Sequence, residues 1–478
     1  MSAPRDQDAL LDHAIHGLSR LDPLASAQKA FVPWQRNALI GLAAVAIVLL
    51  ALWPLPALTV AVAFCTFGYV VTITDRILIF SRGLRGDAIL QISDEEALAL
   101  PAEDLPAYTI LVPAYKEPEV VALLLSAVGG LDYPREKLQV LLLLEADDAE
   151  TIRAAREAHL SETVTIIEVP PAEPRTKPKA CNYGLHFATG ELVTIYDAED
   201  HPEPLQLRRA VAAFRKLGDD VACIQAKLSF HNGTQNVLTG WFTAEYGLWF
   251  SFLLPGLMQS RSPIPLGGTS NHLKREALEQ LGAWDAFNVT EDADLGVRLA
   301  IAGYRTAVLD SVTMEEANSD AINWIRQRSR WYKGYLQSWL VHMRRPLATW
   351  RSLGTVATIR MTIFLAGTPT IAALNSVFWL MTLSWLLGQP TQVGELFPSY
   401  VYYPAVVSLV FGNAATIYMG LISIRENRQS ELLIPVLTVP LYWVMMSIAS
   451  IKGCWQLFRN PSFWEKTAHG LPGAGTGP

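Results

Sequence analysis

The stretch "ELVTIYDAEDHP", Glu191 to Pro202, decides the fold. An apolar run from Leu192 to Tyr196 leads straight into Asp197, Glu199 and Asp200, and Pro202 ends it. Strands that are apolar on both faces belong to sheets covered on both sides, so polar chemistry gathers at their ends. Crowded carboxylates repel one another unless a cation compensates. Hard oxygen ligands at this density suit Mg²⁺ or Mn²⁺, with phosphate oxygens of a substrate completing the shell. Asp197, Glu199 and Asp200 are therefore the candidate metal ligands, with helix capping as the structural alternative.

Outward from this stretch, short apolar runs ("YTILVPAY" at 108–115, "LQVLLLLEA" at 138–146) alternate with helix-like segments ("EPEVVALLLSAV" at 117–128, "AETIRAAREAHL" at 149–160). Such alternation predicts an α/β domain, here residues 105–342, built on a mostly parallel sheet. Its strand ends carry further polar clusters. "PAYKE" (113–117) ends the first strand, and Glu145, Asp147 and Asp148 end the second. These acids suit hydrogen bonds from a base or ribose, or the capping of a helix. "EPRTKPKACNYGL" (173–185) offers Arg175, Lys177 and Lys179. Its prolines predict an extended loop that presents cations to a diphosphate. In "PLGGTSNHL" (265–273), Gly268 permits close approach, and Thr269 and Ser270 supply hydroxyls for a donor or acceptor sugar. "NVTEDADLGVRL" (288–299) places Glu291 and Asp292 before a helix, where one carboxylate could act as general base.

The stretch "RQRSRWYKGYLQSW" (326–339) reads as a helix with Gln327, Arg330 and Trp331 on one face. Arg330 suits a leaving diphosphate and Trp331 a sugar ring. The other basic and aromatic residues predict a helix lying among the headgroups of a membrane.

The composition is 51% hydrophobic and 17% charged over 478 residues, and the apolar residues are unevenly spread. Residues 37–74, 361–394, 396–424 and 432–451 contain no Asp, Glu, Lys or Arg. A span needs about 20 apolar residues, which predicts an integral membrane protein. A hairpin at 37–80 is split by "WPLP" at 53–56, and further helices occupy 355–455. The segment 1–36, too polar for a signal peptide, precedes the hairpin, and a tail at 456–478 ends in a Gly/Pro-rich stretch at 471–478. Arginines at 76, 82, 85, 344, 345, 351 and 360 put the α/β domain in the cytoplasm, at a bacterial-type inner membrane. The run 432–451 conflicts with that rule, because a crossing there would carry Lys452 and Arg459 outside; with Pro435 and Pro440 it reads as re-entrant, or else 354–387 holds an extra interfacial helix, for four to six membrane segments in all. Four dispersed cysteines predict neither disulfides nor zinc, and a net charge of −7 excludes a general nucleic-acid binder.

The order "PAYKE", "EADD", "KPKACN", "YDAED", "GGTS", "TED", "QRSRW" resembles that of membrane-embedded family 2 glycosyltransferases, the group of cellulose and hyaluronan synthases. The resemblance implies a GT-A (Rossmann-like) cytoplasmic catalytic domain inserted between transmembrane segments. It also implies a nucleotide-sugar donor, most often a UDP-sugar, and inversion at the anomeric carbon. By motif position, Glu145, Lys177, Lys179, Asp197 and Arg330 would hold the donor, and Asp197 and Glu199 the metal. Asp292, beside Glu291, would be the base. Gly268, Thr269, Gln327 and Trp331 would face the acceptor. Glu145 in place of the usual aspartate, "DAED" in place of a clean DxD, and Cys181 in place of a glycine depart from the pattern. The acceptor expected is a growing β-linked polysaccharide, moved across the membrane with possible export partners. The alternatives are single transfer to a lipid and, more remotely, a non-catalytic transporter. Trp241, Trp249, Trp331 and Trp339 are expected along the acceptor path.

Overall fold

The computed structural model describes residues 6–118, 128–158, 160–461, 463 and 465. Most of the helix expected at 117–128 and the tail at 471–478 lie outside the described residues. The apolar runs form β1 (Tyr108–Ala114), β2 (Leu138–Glu145), β3 (Val164–Val169) and β4 (Leu192–Ile195), all parallel in the order β3-β2-β1-β4. Leu111, Val112, Leu142 and Leu144 are wholly buried, as a doubly covered sheet requires. The other half holds β5 (His201–Pro202), β6 (Val221–Phe230), β7 (Asn271–Lys274) and β8 (Arg305–Glu315). Here β6 and β8 are parallel, but β7 runs antiparallel between β4 and β6, and β5 runs antiparallel beside β8. The sheet is therefore mixed, more so than the strand–helix alternation predicts.

Two local expectations need correction. The strand at 191–202 stops at Ile195, and the acids lie on a turn closed by Asp200 N donating to Asp197 O (3.0 Å). The supposed extended loop at 177–185 is a helix, Lys177–Leu185. Pro178 sits in its first turn, where a missing N–H leaves no bond unmade, so the proline starts the helix instead of preventing it.

Among the described residues, four helices are long and apolar enough to cross a membrane: Pro33–Leu52, Pro54–Gly83, Thr355–Gly388 and Ser399–Glu426. Phe64, Leu42 and Leu387 stand well exposed on them, as lipid-facing side chains would. A fifth candidate, Ser430–Leu437 followed by Val439–Arg459, is bent by 62°. Its two arms stay against the α/β domain. Trp241 Nε1 donates to Thr438 Oγ1 (3.0 Å) at the bend, Tyr442 bonds Glu245 (2.8 Å), and Lys333 Nζ reaches Phe463 O (2.6 Å) past the end.

The helix Ala321–His342 also departs from expectation. Trp324, Arg328, Tyr332, Lys333 and Gln337 on it are buried, and it packs along Val439–Arg459 so closely that Gly453 touches the Ser329 carbonyl. It is an internal wall, not a helix lying among headgroups. Its cations are absorbed internally: Arg328 makes a two-pronged pair with Glu245 (2.8 and 2.5 Å) and lies over the Trp331 ring at 4.6 Å.

Helix Pro54–Gly83 meets the domain through glycines. A methyl group at Gly256 would collide with the Ile79 carbonyl oxygen, and one at Gly83 with that of Phe252. Gly256→Ala should thus cost about 1–3 kcal/mol by overpacking and lower the thermal unfolding midpoint in detergent. Gly86→Ala, where a methyl meets nothing within 4 Å, should leave the midpoint in place.

Candidate active site

The ends of β1, β2, β4 and β8, the loop 265–269 and the faces of several helices close around one cavity of about 790 Å³. Of the predicted site residues, Glu145, Lys177, Asp197, Glu199, Asp200, Gly268, Thr269, Glu291, Asp292, Gln327, Arg330 and Trp331 line it, while Asp147, Asp148, Lys179 and Ser270 do not. Lys179 points into the core, fully buried, with Nζ 2.8 and 2.9 Å from the carboxylate oxygens of Glu145. Helical geometry explains the exchange, since residues two apart on a helix face opposite ways. Lys177 faces the cavity and Lys179 braces the helix against β2.

Lys177 pairs with Asp197 and donates to Gly268 O (2.9 Å). Burial works against its charge, but Asp197, Cys181 and Glu291 outweigh that and hold it above the ordinary lysine value. Around it the carboxylates are crowded. Burial, then Asp197 and Glu199, raise Asp200 well above its usual range; burial, then Asp200, Asp197 and Glu199, do the same for Glu315. Sequence reasoning missed Glu315, an acid that ends β8 as the others end their strands. Asp200 faces inward in part: Oδ2 accepts from Asp197 N (2.8 Å) and from Thr269 Oγ1, and Oδ1 has no partner among the described residues. The Thr269 hydroxyl is thereby held on Asp200 and Ile195 O, and that of Ser270 on Thr313 (2.7 Å), so neither hydroxyl presents itself to a sugar as expected.

Among the described residues no three His, Cys, Asp or Glu form a ready metal cage. The donor chemistry nevertheless fits a hard divalent ion. Asp197 and Glu199 line the cavity amid surplus buried negative charge and an orphaned Asp200 oxygen. Mg²⁺-type ions commonly bind through one or two carboxylates, with substrate phosphates completing the shell.

Asp292 and Glu291 open the helix Glu291–Ile301. Asp292 is half-buried with Oδ1 accepting from Ala293 N (2.7 Å), while Glu291 is buried. Burial raises Asp292 to about 6 against the pull of Lys177 and Arg330. Burial and then Asp292 raise Glu291 to about 8. Near neutral pH the more exposed Asp292 is ionised and Glu291 largely is not, which separates the two catalytic candidates. Gly268 keeps this corner open: a methyl there would lie 3.5 Å from Asp292 Oδ2 and 4.0 Å from Lys177 Nζ. Burial lowers Arg330 below the ordinary arginine value, and Glu291, Asp292 and Asp197 oppose it. Gln327 accepts from Asn318 Nδ2 (2.9 Å). Trp241 and Trp249 line the cavity with Trp331; Trp339 does not, its Nε1 lying 3.3 Å from Thr362 Oγ1.

Residues 106–334 match the family described as "Glycosyltransferase like family 2". The curated relatives include the "Probable glycosyltransferase YdaM" of Bacillus subtilis, 27% identical over 48% of this chain and 56% of that protein. A "Beta-monoglucosyldiacylglycerol synthase" of Trichormus variabilis is 26% identical over 56% and 58%, respectively. "Glucomannan 4-beta-mannosyltransferase 1" of rice (Oryza sativa subsp. japonica) is 28% identical over 48% and 45%. The chain spans about half the length of the curated relatives it matches. A solved mannosyltransferase from Pyrobaculum calidifontis, in complex with GDP-Man and Mn²⁺, shares the fold with a TM-score of 0.53. It is 21% identical, over 84% of this chain and 99% of that one. The α/β unit thus matches a family 2 glycosyltransferase domain over residues 106–334 and has a GT-A-like mixed sheet.

The two lysines should differ in what their removal changes besides stability. Lys179→Ala strands a buried Glu145 and should destabilise the protein by roughly 3–5 kcal/mol, read by thermal unfolding. Lys177→Ala leaves the half-buried Asp197 unpaired among the other acids, so it should also lower the unfolding midpoint, by less than Lys179→Ala, and should weaken nucleotide-sugar binding at least tenfold, read by titration calorimetry.

Proposed function

We propose that this chain, built around a family 2 glycosyltransferase domain, is a membrane-bound inverting enzyme that transfers a sugar from a nucleotide-sugar to an acceptor entering between its helices. One observation carries the reading. The cavity that holds the strand-end carboxylates continues without interruption to Ile363, Phe364, Val439 and Met446 of the apolar helices. The donor occupies the strand-end half, with its nucleoside toward Glu145 and Tyr115 and its diphosphate toward Lys177 and Arg330. Mg²⁺ or Mn²⁺ at Asp197 and Glu199, when bound, supplies positive charge for the departing diphosphate. Asp292 accepts the proton of an acceptor hydroxyl as its oxygen bonds to the anomeric carbon from the face opposite the leaving group. The sugar–phosphate bond breaks, and Arg330 and Lys177 balance the negative charge that leaves with the diphosphate. Gln327 and Trp331 bound the acceptor side.

The apolar wall favours a lipid acceptor, in line with a relative whose name specifies a glucosyldiacylglycerol product. Three cavity tryptophans, Trp241, Trp249 and Trp331, favour a polysaccharide instead, as does the glucomannan enzyme among the relatives. Incubation with labelled donor separates the two: one lipid-mobile product supports the first, and a ladder of sizes the second. The arginine-rich ends of the helices support a cytoplasmic catalytic domain at a bacterial-type inner membrane. The bent pair 430–459, held by the domain on both arms, supports a re-entrant path that keeps Lys452 and Arg459 on that side.

Asp292→Asn should lower turnover by about 10²–10⁴ while donor affinity changes little; undiminished turnover would remove Asp292 from the base role. In the wild type, Asp292 titrates near 6, and only its ionised form accepts a proton. The rate should therefore climb about tenfold per pH unit up to roughly pH 6 and flatten above it, as checked by initial rates over pH 4.5–8.

A further inference from the structure

The membrane-side half of the cavity carries its own charge pattern, which the transfer mechanism leaves unused. Three arginines line it: Arg76, Arg328 and Arg360. Arg360 is paired with Asp75 (2.9 Å) and bonded to Ser262 Oγ (3.1 Å). Arg328 is paired with Glu245, which also accepts from Tyr442 (2.8 Å). Both acids on this side are therefore taken. Arg76 makes no hydrogen bond or ion pair to another described residue, and its Nε is buried without a partner. Glu245 is the acid that acts on it from nearby, and Glu245 already holds Arg328. Arg330, by contrast, is acted on by Glu291, Asp292 and Asp197, which assigns it to the transfer end.

The depth of Arg76 matters. Helix Pro54–Gly83 begins at the uncharged turn, and Arg76 lies 22 residues along it, roughly 33 Å at ~1.5 Å per residue. A hydrocarbon core is about 30 Å thick, so Arg76 stands where headgroups begin. An arginine kept unpaired inside a cavity at this depth is costly unless something anionic pairs with it.

We propose that Arg76 binds an oxyanion in the headgroup of the acceptor, which is then an anionic lipid carrying a hydroxyl nucleophile, and not a neutral glyceride or a polysaccharide. Its acyl chains lie along Ile363, Phe364, Val436, Val439 and Met446. Its oxyanion meets Arg76, and its hydroxyl reaches toward Asp292. The transfer is the one described above: the lipid oxygen bonds to the anomeric carbon, the nucleoside diphosphate leaves, and the proton goes to Asp292. The inference rests on the glycosyl-transfer reading, which nucleotide release by the wild-type protein, with Mn²⁺ in bilayers containing both phosphatidylglycerol and diacylglycerol, tests alone.

The full chain is reconstituted in phosphatidylcholine nanodiscs containing either phosphatidylglycerol, which has both an oxyanion and hydroxyls, or diacylglycerol, which has only the hydroxyl. Labelled product should form at least tenfold faster on phosphatidylglycerol. Phosphatidic acid, with an oxyanion and no hydroxyl, should inhibit that transfer, whereas inorganic phosphate at equal concentration should not. Arg76→Gln should bring the two lipids to parity, and Arg76→Lys should restore part of the preference. Equal rates on both lipids in the wild type, no inhibition by phosphatidic acid, or a preference retained in Arg76→Gln would each overturn the proposal. Inhibition by inorganic phosphate equal to that by phosphatidic acid would overturn the lipid source of the anion. If wild-type protein releases no nucleotide from any donor in a panel of UDP- and GDP-sugars, the transfer reading itself fails, independently of Arg76.

Discussion

The pairing of Lys177 with Asp197 is the contact on which the site depends. Asp197, Asp200, Glu291, Asp292 and Glu315 converge on one buried corner, and Lys177 is the cation that holds them in register. Without a compensating charge these carboxylates would repel one another in surroundings where Coulomb forces are weakly screened. The protein supplies one lysine and leaves several acids above their ordinary pKa range. That imbalance suits a divalent ion at Asp197 and Glu199, whose charge would offset the local acids and whose remaining coordination positions a diphosphate would fill.

Position is conferred on this corner by packing elsewhere. Lys177 is aimed by a helix whose opposite face is fastened by the buried Lys179–Glu145 pair and by Asn182, which bonds the Ala14 and Trp284 carbonyls (2.9 and 2.7 Å). Asp292 is aimed by a helix whose next turn carries Asp294, bonded to Arg298 (2.8 Å) and to His342 (2.9 Å) at the end of Ala321–His342. Arg330 and Trp331 sit midway along that same helix. The general-base candidate and the diphosphate-facing arginine thus share one rigid frame, and the glycine contacts at Gly83 and Gly256 join that frame to the helix bearing Arg76.

Much of this was legible from residue patterns, for identifiable reasons. Continuous apolar runs located β1, β2 and β4, because strands covered on both faces admit no polar positions. The acids were found because they end those runs. Direction was harder to read. Lys177 and Lys179 are two apart with the same side chain, and only the helix phase says which faces the cavity. Thr269 and Ser270 looked available because their partners, Asp200 and Thr313, are 69 and 43 residues away. The 326–339 segment read as a membrane-surface helix because nothing local shows that Glu245 neutralises Arg328 from 83 residues upstream. Glu315 was overlooked because β8 alternates polar and apolar residues and reads less plainly as a strand than the runs in β1 and β2.

The apolar helices have a chemical consequence beyond attachment. Tyr246, Trp249, Phe364 and Val439 wall the side of the cavity that faces away from the sheet, so the reacting corner borders hydrocarbon-like surface and not open water. Burial is the largest cause of the raised values of both Asp292 and Glu291. A carboxylate near 6 is a better proton acceptor at neutral pH than one near 4, since its conjugate acid holds the proton more firmly. In the proposed transfer, the same exclusion of water would strengthen the pull of Arg330 and Lys177 on a leaving diphosphate and deprive the donor of a competing nucleophile. Cutting the helices away would hydrate Asp292 and lower its proton affinity, so on the proposed mechanism the wall that admits the acceptor also sets the strength of the base.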